Sequence, residues 1–302
     1  MSLHVGNPFH SLICFGRSRH ISGTGAMLVG ITGTPGSGRK TSLRYFATQG
    51  FKVVENNDDA LESVVEKWRD DFVVLIDSVP GEVCKRPWFI HLHLEASDDV
   101  RAARSNISGL SGDLILQHRL ENIRRAHINL INDFSTETEL FRALKELNIL
   151  DQERVRPSWD RYFMTIAELA SQRSNCMKRR VGCVLVHENR IISTGYNGTP
   201  RGSKNCNEGG CIRCNSGSKG GTALATCLCL HAEENALLEA GRPRVSGATL
   251  YCNTCPCLTC SIKIVQTGVS EVIYSQDYSM DQVSARVLED GGVKLRKYTG
   301  FI

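Results

Sequence analysis

The residues able to do chemistry crowd towards the end of this 302-residue chain, where 11 of its 13 cysteines follow residue 175. Two short segments stand out: His231-Ala232-Glu233, and, after an intervening strand, Pro256-Cys257-Leu258-Thr259-Cys260. One imidazole and two thiolates supply three zinc ligands and leave the fourth tetrahedral position to water, whose pKa the metal lowers to about 7. Glu233 lies two residues beyond His231 at a helix start, so its carboxylate can face that water and take its proton without being a ligand. Cys257 and Cys260 are spaced to share one face of a helix at its N-terminal turn. The positive end of the helix dipole favours both thiolates there. A C-x-x-C pair alone reads as a structural zinc knot; the full four-residue pattern turns the reading to a catalytic metal. Cys255 offers an adjacent thiol, but proline belongs just before the first ligand, which favours Cys257.

These residues need a scaffold. Hydrophobic residues make up 41% of the chain and charged residues 23%, the composition of an ordinary globular protein with room for two domains rather than a fibre or a disordered chain. The net charge is +4; residues 27–156 carry 17 Lys/Arg against 20 Asp/Glu, and residues 157–302 carry 17 against 12. That basic surplus suits a small phosphate-bearing molecule better than a nucleic acid. No secretory signal and no apolar run near the roughly 20 residues of a membrane span is evident, which favours a reducing, cytoplasmic setting, and metal rather than disulfides for the cysteines. A nuclear pool is left open. Residues 1–26 hold Arg17, Arg19 and no acid, and resemble a mitochondrial presequence, but read as a disordered tail.

From residue 27 to 150 strands alternate with amphipathic helices, which predicts a parallel sheet: strands at Leu28–Thr32, Lys52–Val54, Phe72–Asp77 and Phe89–Leu94, then helices from Ser97 through Leu147. Residues 151–157 read as a linker. Beyond it, Ser158 or Asp160 caps a helix, a hairpin turns at Glu188-Asn189, residues 200–229 form an irregular insert, and alternating helices and strands complete an α/β/α layer pattern.

On these residues, 158–302 resembles the deoxycytidylate deaminases of the cytidine deaminase superfamily. The likeness is carried by Trp159-Asp160-Arg161-Tyr162-Phe163-Met164, Arg173-Ser174-Asn175-Cys176, Gly195-Tyr196-Asn197-Gly198-Thr199-Pro200-Arg201-Gly202 and the two zinc segments. It implies hydrolysis of dCMP to dUMP and ammonia, supplying thymidylate synthesis, with Glu233 delivering the proton to the ring nitrogen and the departing ammonia. It also implies activation by dCTP and inhibition by dTTP, with Mg²⁺ on the triphosphate, and a homo-oligomer, a hexamer by analogy. Asn197 and Gly198 would meet bound nucleotide, and Arg201 is a candidate phosphate partner. Similar deaminases often carry a second, structural zinc; the set chosen here is Cys176, Cys206, Cys211 and Cys227, with Cys214 and Cys229 as substitutes. The alternatives are a riboflavin-pathway or tRNA deaminase, which lacks the G-Y-N-G-x-P-x-G segment, and a non-catalytic nucleotide-binding zinc module, against which Glu233 speaks.

The first half resembles a small P-loop nucleotide kinase. Gly33-Thr34-Pro35-Gly36-Ser37-Gly38-Arg39-Lys40-Thr41 follows a strand, and Asp77 ends another. Yet Arg39 stands where the P-loop lysine belongs and Lys40 where its hydroxyl belongs, so a degenerate domain without phosphotransfer is expected. The expected architecture is an N-terminal P-loop-like α/β domain followed by a cytidine deaminase-like α/β/α sandwich.

Overall fold

The computed structural model describes residues 27–67, 69–78, 85–105, 113–219, 222–277 and 282–300, so the tail expected over 1–26 lies outside the described residues. The chain divides into two compact units, the first ending at Val155 and the second beginning at Arg156.

In the first unit the elements run β1 (Leu28–Gly33), α1 (Arg39–Thr48), β2 (Lys52–Val54), α2 (Asp58–Glu66), β3 (Phe72–Leu75), β4 (Phe89–Glu95), α3 (Asp98–Ser105), α4 (Asp113–Arg125), β5 (Ile128–Ile131) and α5 (Glu137–Glu146). The strands form one parallel sheet in the order β2-β3-β1-β4-β5. Strands covered on both faces read as unbroken apolar runs, as β1 and β3 do. Val29, Ile31, Ile90 and Leu92 pack with Phe46, Leu140 and Leu144 in one cluster. Leu28, Val74, Ile76 and Phe89 pack with Leu61 and Val64 in another.

The helices expected to run unbroken from Ser97 to Leu147 are interrupted by β5. This edge strand is four residues long and only Ile128 is buried, so its sequence is nearly silent; it is defined by pairing with β4, from Leu92 beside Ile128 to Glu95 beside Ile131. The glycine loop before α1 uses left-handed backbone at Gly36 and Gly38, and the Arg39 guanidinium bonds the Asp77 carboxylate at 3.1 Å. The stretch expected as a linker begins with a one-turn 3₁₀ helix, Gln152–Arg154, capped by Asp151, and Val155 packs on the first unit's core.

The second unit comprises α6 (Trp159–Ser171), β6 (Gly182–His187), β7 (Arg190–Tyr196), α7 (Ile212–Asn215), α8 (Ala232–Ala240), α9 (Arg242–Val245), β8 (Thr249–Thr254), α10 (Leu258–Thr267), β9 (Glu271–Gln276), α11 (Gln282–Asp290) and β10 (Lys294–Lys297). Its sheet runs β10-β9-β8-β6-β7, with β6 antiparallel to both β7 and β8 and the remaining pairs parallel. Glu188 and Asn189, at φ of 48° and 60°, make the tight β6–β7 turn. On one face Phe163, Met164 and Ala167 of α6 pack on Val184, Val186, Tyr251 and Ile273. On the other, Ala232, Ala236 and Leu237 of α8, Cys260 and Ile264 of α10 and Leu288 of α11 cover Leu185, Leu250 and Val272. The result is a three-layer α/β/α sandwich.

Ser158 caps α6, accepting from the Arg161 amide at 3.4 Å, whereas Asp160, the other candidate cap, accepts from Arg296 at 2.6 and 3.1 Å and from the Tyr251 hydroxyl at 2.9 Å. Two glycines set the distance between layers. A Cβ on Gly182 would lie 2.0 Å from the Ala167 carbonyl oxygen, and one on Gly195 would lie 2.1 Å from that of Ala232, so only glycine lets α6 and α8 come this close to the sheet.

Candidate active site

Two helix N-termini converge on one point. His231 is the N-cap of α8 and Cys257 the N-cap of α10, each in extended backbone, and Cys260 lies in the first turn of α10. His231 Nδ1 is 3.3 Å from the Sγ of Cys257 and 3.3 Å from that of Cys260. In a tetrahedral site with Zn–N near 2.0 Å and Zn–S near 2.3 Å, such edges measure ~3.5 Å. The three residues form a group able to hold one metal ion. Among the described residues Cys255 joins no such group: its amide bonds the Gln276 carbonyl at the end of β8, and burial pushes its thiol up to about 11. Of the two adjacent thiols, the structure brings Cys257, the one the sequence favours, to His231.

Electrostatics binds the three together. A hydrogen bond from Cys260 and the contact with His231 pull the Cys257 thiol down to about 3, the same contact raises the His231 imidazole to about 9, and Cys260 is raised by its Cys257 partner and by burial. A thiolate, a thiol and an imidazolium form a donor set whose protons a divalent cation displaces. Helix dipoles from α8 and α10 add positive potential to the same place.

Glu233, in the first turn of α8, is only 3% exposed, and burial pushes its carboxyl up to about 7, where one group can both take and return a proton at neutral pH. Its neighbour Glu234 turns back instead: its Oε2 accepts from the His231 amide at 2.8 Å, and its other oxygen meets Lys263 of α10. This clasp between the first turn of α8 and the middle of α10 was not anticipated from sequence, although glutamate three residues past an N-cap is its signal.

The Gly195–Gly202 segment reaches this site through the backbone. Gly198 and Leu230 exchange hydrogen bonds at 3.2 and 2.9 Å in an isolated antiparallel bridge, which fixes the residue just before His231. Asn197 is 8% exposed; its Oδ1 accepts from the Val181 amide and its Nδ2 donates to the Arg179 carbonyl, both at 2.8 Å. Its side chain is thus engaged in holding the approach to β6. Arg201 is exposed.

The chosen second-zinc set does not come together as a unit. Cys176 and Cys206 gather with Cys214 and Cys229, whereas Cys211 and Cys227 gather with the same Cys214 and Cys229. The two cysteines held as substitutes lie at the centre because α7 and the segment before α8 carry them inward.

The α/β/α sandwich with this donor set defines a class, and comparison agrees: residues 157–276 match the model of the cytidine and deoxycytidylate deaminase zinc-binding region. The chain is 47% identical over 273 residues to the deoxycytidylate deaminase of Schizosaccharomyces pombe, covering 84% of this chain and 85% of that one. It is 42% identical to that of Saccharomyces cerevisiae, covering 90% and 97%. Among solved structures, a dCMP deaminase from the cyanophage S-TIM5 in complex with dCMP and dUMP is 36% identical, covering 47% of this chain and 98% of that chain, with a TM-score of 0.40. The chain belongs to the deoxycytidylate deaminase family.

Proposed function

We propose that this chain hydrolyses dCMP to dUMP and ammonia at the His231–Cys257–Cys260 centre. The observation that carries the reading is the meeting of one imidazole and two thiols at two helix N-termini, beside a buried carboxylic acid in the first turn of α8. His231 Nδ1, Cys257 Sγ and Cys260 Sγ would hold zinc, which supplies a Lewis acid for the attacking water when bound. Glu233 takes one proton from the attacking water and delivers it to the ring nitrogen, then takes the remaining proton of the hydroxyl added to the ring carbon and delivers it to the departing amine, which leaves as ammonia; a carboxyl poised near neutrality suits both transfers. The Glu234–Lys263 clasp ties the start of α8 to α10, so that ligands and proton carrier keep one geometry.

Regulation by dCTP and dTTP with Mg²⁺ is part of the proposal, with Arg201 as a phosphate partner supported by its exposure three residues after Gly198. Asn197 acts here by shaping the segment that nucleotide would meet. Assembly with copies of itself is supported by Trp159, Tyr162 and Leu169 of α6, apolar yet exposed. The first unit is read as a degenerate nucleotide-kinase-like domain, because Arg39 pairs with the acid that would otherwise serve Mg²⁺.

Steady-state assay of the purified full chain with dCMP, CMP, deoxycytidine and tRNA tests the reading. Preferential turnover of dCMP is expected. Deamination of tRNA with no action on dCMP would overturn it.

A further inference from the structure

Cys176 and five cysteines of the insert, Cys206, Cys211, Cys214, Cys227 and Cys229, form one cluster in which Cys206, Cys211, Cys214 and Cys229 are buried and Cys176 and Cys227 partly so. All six are free thiols. Their Sγ–Sγ separations are 3.9 Å for Cys176–Cys214, 3.9 Å for Cys211–Cys227, 3.8 Å for Cys214–Cys227 and 4.0 Å for Cys214–Cys229. A disulfide needs about 2.05 Å, so the spacing is not that of bridged pairs. Four thiolates around zinc at about 2.3 Å stand ~3.8 Å apart, which is the spacing found.

The six split into two four-thiol groups, Cys176-Cys206-Cys214-Cys229 and Cys211-Cys214-Cys227-Cys229, each with every sulfur within 4.8 Å of the others. The groups share Cys214 and Cys229. Two tetrahedra with a common edge use six corners, and six thiols are present.

From this geometry we infer a binuclear zinc–thiolate cluster, with Cys176 and Cys206 terminal on one metal, Cys211 and Cys227 terminal on the other, and Cys214 and Cys229 bridging both. A single zinc in either group would leave two thiols of the other beside it with no ligand role, whereas two metals use all six. The surroundings suit the excess negative charge of six thiolates against two dications. The Arg213 guanidinium faces Cys227 Sγ at 3.8 Å, and the Leu228 amide donates to Cys211 Sγ at 3.4 Å. The cluster would tie the Cys176 segment to two stretches of an otherwise irregular insert, the second of them ending two residues before His231.

Metal analysis and ¹¹³Cd NMR of the full chain test the inference. Three zinc ions per chain are expected, one at His231 and two in the cluster, falling to two in His231→Ala and to one in Cys214→Ser. Loss of a bridging thiolate can unfold the insert, so the unsubstituted chain loaded with ¹¹³Cd gives the decisive reading. Two resonances in the all-thiolate region, each split by the other through a shared sulfur, support the cluster. Two zinc ions per chain, or all-thiolate cadmium resonances without mutual splitting, would overturn it.

Discussion

Gly195→Ala is the substitution through which the packing of the second unit reaches the chemistry. The added Cβ would sit 2.1 Å from the Ala232 carbonyl oxygen, 2.6 Å from the Ala236 amide nitrogen and 3.0 Å from the Ala236 Cβ, all on α8. Its tightest neighbours are backbone, so no side chain can swing aside. Opening a 2.1 Å contact to 3.0 Å requires α8 to move by about 0.9 Å away from β7. That helix carries His231 at its N-cap and Glu233 in its first turn. Overpacking of this kind costs about 1–3 kcal/mol of stability, and misplacement of a reacting group by about 1 Å costs on the order of 100-fold in rate. Gly292→Ala is the control: at φ 72° it is strained, but its Cβ meets nothing within 4 Å, so it should cost roughly 1–2 kcal/mol with turnover intact. Urea denaturation, dCMP turnover and zinc content of both variants decide. A Gly195→Ala protein with unchanged stability and turnover would refute the claim that this contact sets the position of α8.

Asp160→Asn tests the carboxylate that joins α6 to β10 and β8. Hydrogen bonding to Arg296 lowers its pKa, so its contribution is present above the unfolded value near 3.9 and is lost as pH falls through the folded one. The variant should lose about 1 kcal/mol at pH 7, a figure already discounted for partial exposure, and the gap should close in acid; a loss independent of pH would contradict the ion-pair origin. Cys257→Ser should abolish zinc binding at the His231 centre, whereas Cys255→Ser should keep that zinc and most turnover. Zinc analysis with the other ligands intact separates the two, and loss of metal in Cys255→Ser would reassign the ligand.

Much of the site was legible because its residue types are few and their spacing follows helix geometry: His231, Cys257 and Cys260 fall where their local helix starts put them. The ligand pairing of the insert was not legible. Cys214 and Cys229 become central only after α7 and the Gly198–Leu230 bridge fold the segment back, information that spacing along the chain does not contain. The hold that the Asn197 side chain has on the backbone of Arg179 and Val181 was not legible either, because that partnership is visible only once β6 and β7 pair. In the first unit, β5 escaped notice because an edge strand with one buried residue has no apolar run to betray it.

Everything proposed for the chemistry turns on Glu233 moving the proton at a zinc centre built from His231, Cys257 and Cys260. Glu233→Gln keeps the size and burial of the side chain while removing the proton carrier, so dCMP turnover measured together with zinc content and dUMP binding isolates that role. Normal zinc, retained dUMP binding and a fall in kcat of about 10²–10⁴-fold are expected. A Glu233→Gln protein that holds its zinc and deaminates dCMP at the rate of the unsubstituted chain would contradict it.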